Sequence, residues 1–138
     1  MPEASRDRSL GTFGKKMKHL SLTITSTAVV SGLAFSFLQV ESFKTMWIFF
    51  IFCFGPLLGT LFLSIITKNN MAQVALLAST VGYVSWFLIV YHKVITTPDA
   101  QSPIAFMFVG IFAVPFLLLI WIPAIILAIL NRPRMIQI

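Results

Sequence analysis

The chain has 138 residues, 58% of them apolar and 10% charged, with ten Lys or Arg against four Asp or Glu. Soluble domains run nearer one quarter charged, and so few charges cannot coat this much apolar surface in water. This excludes a disordered chain, a collagen and a coiled coil, and it leaves an all-α integral membrane protein.

Residues 1–19 form a basic tail carrying Arg6, Arg8, Lys15, Lys16 and Lys18. Within it Leu10, Phe13, Met17 and Leu20 recur at helical spacing with the lysines between them. That pattern suits a short helix lying at a membrane surface, with some attraction to anionic headgroups. The first span, 20–40, is rich in Ser and Thr. Ala34, Phe35 and Ser36 resemble a small-x-small cleavage site, so a signal peptide competes with a retained helix. The long preceding region with Glu3 and Asp7 favours the retained helix.

Three more apolar blocks follow, at 46–66, 72–91 and 104–130, each long enough for the roughly 20 residues a bilayer demands. No span contains Asp, Glu, Lys, Arg or His. The links 41–45, 67–71 and 92–103 are short, which predicts an antiparallel up-down bundle of four transmembrane helices. The last block is longer than needed: its 27 residues would reach about 40 Å against a core of about 30 Å. It also holds Pro115 and Pro123, each removing a backbone hydrogen bond, so a long, Pro-kinked helix is expected there. Residues 131–138, with Arg132 and Arg134, form a short basic C-terminal tail.

Lys and Arg are distributed unevenly between the two sides. With four spans, the tail, Lys68 and the C-terminus place eight on one side, and Lys44 and Lys93 place two on the other. The positive-inside rule then puts both termini on the cytoplasmic side, in a bacterial inner membrane or an organellar equivalent. The basic balance is therefore a topology signal. No interleaving of basic and aromatic residues points to nucleic acid.

Helices in lipid associate where small residues let backbones approach. In the third span Ala75, Ala78, Ser79, Gly82 and Ser85 fall within about 120° of arc, with Trp86 beside them. The first span offers Thr25, Ala28, Gly32, Ser36 and Gln39. The second offers Gly55 and Gly59, interrupted by Pro56, and the fourth offers Gly110, Ala113, Ala124 and Ala128 with Leu117 and Trp121. Phe49, Phe50, Phe52, Phe54 and Phe62 surround most of the second helix, which suits lipid contact more than packing against flat hydrophobic cofactors. Trp47 and Tyr91 fall where interfacial anchors belong, and Trp121 is expected to fill a packing gap deeper in.

The chemistry is sparse. An intramembrane charge is the usual mark of a proton relay or ion path, and the spans carry none. Cys53 is the single cysteine, so no internal disulfide or CxxC redox pair exists. His19 and His92 would lie at opposite faces and could not share a metal. A hydrolytic set would have to combine His92 and Asp99 with Ser42 or Ser102, and nothing in the spacing recommends it. His92, with Tyr91 and Trp86 nearby, is the one candidate ligand for a pigment or haem. The expected function is that of a non-catalytic accessory subunit of a larger membrane complex, respiratory or photosynthetic for example, which packs on partner subunits and lipids through its helices. The alternative is a small oligomeric pore, carrier or lipid-handling protein, with Thr23, Thr27, Ser31 and Gln39 turned toward a shared axis.

Overall fold

The computed structural model describes residues 3–39, 41–97 and 102–130. The tail 131–138 with Arg132 and Arg134, Asp99, and the side chains of Arg6, Arg8 and Gln39 lie outside the described residues. The chain forms α1 (Glu3–Gln39), α2 (Phe43–Ile66), α3 (Asn70–Thr96) and α4 (Ser102–Leu130). All four are long and apolar enough to cross a membrane.

The first helix differs from the span expected at 20–40. It is continuous from Glu3, and its apolar stretch runs Gly11–Leu38. Gly11 and Gly14 weaken a helix by about 1 kcal/mol each but do not stop one, and no proline intervenes. The amphipathic tail and the first span therefore share one axis. Pro115 and Pro123 both lie inside the single helix α4.

The α2–α3 link is only Thr67, Lys68 and Asn69. It is defined by caps at both ends. The Asn69 side chain accepts from the Met71 and Ala72 N–H groups at 2.9 and 3.3 Å, filling the role of an N-cap. Lys18 of α1 donates to the Ile65 carbonyl at 3.2 Å, satisfying one of the open carbonyls at the end of α2.

α1 and α4 each pack against both α2 and α3, while α2 and α3 touch more lightly across the short diagonal. The three-residue α2–α3 link thus joins helices that are not the closest neighbours, because α1 and α4 wedge in from either side. Contacts on α1 and α2 run in opposite order: Lys18 meets Ile65, Ser21 meets Ser64 and Phe35 meets Phe49. On α1 and α3 they rise together, from Thr25 with Thr80 to Phe35 with Tyr91.

The outer surface is a nearly continuous apolar coat. Leu38, Phe116 and Leu119 are 83%, 73% and 73% exposed. Hydrocarbon suits such a surface and water does not.

Candidate functional site

The site grows from a proline. Pro56 has no N–H to give the Phe52 carbonyl one turn below, and its ring crowds that oxygen. The α2 backbone is therefore open at Phe52 and Cys53. Two neighbours use the opening. The Tyr83 hydroxyl of α3 donates to the Cys53 carbonyl. Gly110 of α4 sits so close that a Cβ there would run into the Phe52 carbonyl oxygen. Three helices thus meet at one point of exposed backbone, and only glycine at position 110 permits the approach.

On the basic side of this junction the contacts are polar. Gln73 of α3 is fully buried. Its Nε2 donates to the Ser64 and Thr67 carbonyls at 2.8 and 2.7 Å, and its Oε1 accepts from Ser64 at 2.8 Å. That uses the one Ser64 hydroxyl proton. Ser21 of α1, 2.7 Å from Ser64, must then be the donor to it. Thr80 donates back to the Leu76 carbonyl, so Thr25 of α1 donates to Thr80 at 3.0 Å. Trp121 of α4 lies over Gly59 and donates its indole N–H to Thr60 at 3.2 Å. The Thr67 hydroxyl is buried and has no hydrogen-bond partner among the described residues.

On the far side the contacts are rings. Phe35 of α1 lies among Phe49 and Phe54 of α2, Phe87 and Tyr91 of α3 and Phe106 of α4, with centroids 5.3 to 6.5 Å apart. Most of these pairs are edge-on, the geometry that ring quadrupoles favour. Of the five phenylalanines expected to surround the second span, Phe49, Phe50 and Phe54 are core residues, and Phe52 and Phe62 are exposed.

Tyr83 also separates two grooves, one on each side of α3. The larger, about 670 Å³, lies between α1 and α3. Thr23, Thr27, Ser31 and Ser85 line its mouth, while Gly32, Phe54 and Tyr83 form its depth. The smaller, about 390 Å³, lies between α3 and α4. Ala78, Gly82 and Ala113 are its small residues, and Trp86, Phe112 and Phe116 its large ones.

The expected packing stripe on α3 is divided by this arrangement. Ser79 is buried, Ala75 is half-buried, and Ala78, Gly82 and Ser85 are exposed. The face that enters the bundle is Ala72, Gln73, Leu76, Thr80, Tyr83 and Phe87, rotated away from the small residues. It was missed because it carries large and polar side chains. A Cβ on Gly82 or Gly55 would touch nothing within 4 Å, whereas Gly32 lies against the Phe54 ring and Gly59 against Trp121. His92 is exposed near the end of α3 and lines neither groove. Among the described residues no group of His, Cys, Asp and Glu could hold a metal ion. No protein-family model, curated protein or solved structure matches the chain.

Proposed function

We propose that the chain is a multi-pass membrane protein of a bacterial inner membrane or an organellar equivalent, and that it is a non-catalytic accessory subunit of a larger membrane complex. Its helices run alternately up and down, with both ends on the cytoplasmic side and α4 kinked at Pro115 and Pro123. The charge placement supports this orientation. Lys15, Lys16, Lys18 and Lys68 gather at the end where α2 gives way to α3, and Lys44 and Lys93 lie at the other.

The observation that carries the accessory reading is the outward face of α3 and α4. Ala78 and Gly82 lie exposed beside Trp86, which is 56% exposed. Trp86 stands about 7.5 Å along α3 from Tyr91, inside the hydrocarbon on this reading, and its indole N–H has no partner among the described residues. Tryptophan ordinarily sits at the membrane boundary, where that N–H is wet. A bare small-residue surface is where another helix backbone can approach. The bundle leaves that surface unused, and a transmembrane segment of a partner would cover it and supply an acceptor.

The test is gentle extraction of tagged protein, followed by native mass spectrometry and an absorption spectrum. Different, larger subunits should co-purify in fixed ratio. G82L should abolish that ratio, and a control substitution on the far surface of α4, L119A, should leave it intact. A visible absorption band in the assembly would mark a host that carries a pigment or haem. A colourless monomer or homo-oligomer would overturn the reading.

A further inference from the structure

We propose that the groove between α1 and α3 is a binding site for one anionic glycerophospholipid, with an acyl chain lying between the helices and the phosphate held by the lysines of α1. Three observations converge on it. The groove volume of about 670 Å³ is that of a ligand site rather than a packing defect, which would be a small fraction of this. It is not a shallow furrow, since it reaches Gly32 of α1, Phe54 of α2 and Tyr83 of α3. Its walls are apolar, with the hydroxyls of Thr23, Ser31 and Ser85 spread along the mouth.

The groove ends toward the basic side. There α1 settles onto the start of α3, where a Cβ at Gly14 would strike the Asn70 side chain. Lys15 and Lys16 are exposed at that level of α1, and Lys68 is exposed in the adjoining link. Lys18 is already engaged with the Ile65 carbonyl. Lys16 projects on the face of α1 that carries Thr23 and Thr27, within roughly 20° of each. Seven residues of helix separate Lys16 from Thr23, roughly 10 Å along the axis. A phosphate at Lys16 therefore leaves the chains of the same molecule at the start of the groove.

Charge complementarity decides the occupant. A neutral helix would fill the apolar part and leave Lys15, Lys16 and Lys68 without counter-charges among the described residues. An anionic lipid answers both halves of the site at once. The partner-helix surface lies on the opposite side of α3, so lipid retention and subunit co-purification can fail separately.

The experiment uses delipidated full-length protein offered phosphatidylglycerol, phosphatidylcholine or diacylglycerol with identical chains, read by native mass spectrometry. One phosphatidylglycerol should be retained about tenfold or more in preference to the other two. The double substitution K15Q/K16Q should remove that preference. S31F and V84F, from opposite walls, should displace the lipid by filling the groove, with helical circular dichroism checking that each variant is folded. A phosphatidylglycerol carrying a photoreactive acyl chain should cross-link to the 23–35 segment of the unaltered protein. Equal retention of all three lipids, no retention, or cross-links confined to α4 would each overturn the proposal.

Discussion

Where α2 gives way to α3, the helices meet through hydroxyls and an amide: Ser21, Ser64, Gln73, Thr25 and Thr80. At the other end they meet through rings gathered about Phe35. Both ends bring all the helices they join into contact, but the forces differ. A hydrogen bond between buried hydroxyls is directional and fixes register. It adds only modestly to stability in a membrane, because the separated helices also find polar partners there. Rings fill volume without demanding one register, and their loss leaves a cavity. The polar end therefore specifies which helix faces which, and the aromatic end supplies more of the attraction. The junction of Pro56, Tyr83 and Gly110 lies between them and depends on the close backbone approach at Gly110 and the Tyr83 hydroxyl on the Cys53 carbonyl.

The largest expected effect comes from breaking that junction. G110L places a side chain on the Phe52 carbonyl and should destabilise the bundle by about 3 kcal/mol, at the upper end of overpacking costs. G82L, into open space, should cost almost nothing in the isolated protein. Denaturant titration of both in micelles compares them directly, and equal losses would break the distinction between the two glycines.

F35A tests the aromatic end. Truncating Phe in a soluble core costs about 3–5 kcal/mol. Here lipid replaces water as the alternative environment, so the packing part survives and the transfer part does not. A loss of about 2 kcal/mol is expected in the same titration, and a loss of 4 would contradict the membrane setting.

Q73L tests the polar end. It leaves the Ser64 hydroxyl and two carbonyls without their amide and should cost about 1.5 kcal/mol. Hydrogen exchange should speed up around the α2–α3 link and remain slow around Phe87. Uniform acceleration would mean that the two ends do not open separately.

The smallest effect is the Thr25–Thr80 pair. A double-mutant cycle with T25V and T80V should give a coupling of about 0.6 kcal/mol. Additive losses would show that this contact contributes nothing beyond its packing.

Much of the helix content was legible in the residues. Four uncharged blocks of sufficient length stand out, and α2 and α4 end where the apolar runs end. The start of α1 was less legible, because its amphipathic turns carry lysines and are polar on average. The site was less legible still. Gly59 and Gly32 do make close approaches, but Gly82 and Gly55 look the same in sequence and face open space. Thr25, on the packing face read in the first span, turns inward to pair with Thr80, as Ser21 does with Ser64, while Thr23, Thr27 and Ser31, the set that a shared path would use, face the groove. Gln73 stood out in the sequence only as a polar residue that could line a path, and its actual role was not legible, because its partners include carbonyls exposed by the end of a neighbouring helix.

The sequence by itself determined the number and the apolar character of the helices. Composition sets these, since a backbone without water must satisfy its own hydrogen bonds within each segment. Only the tertiary structure decided which faces meet. Small residues and hydroxyls occur on every helix here, so none identifies its own partner. The choice rests on backbone approach at Gly110 and on carbonyls opened by Pro56 and by the end of α2, which exist only once the helices lie side by side.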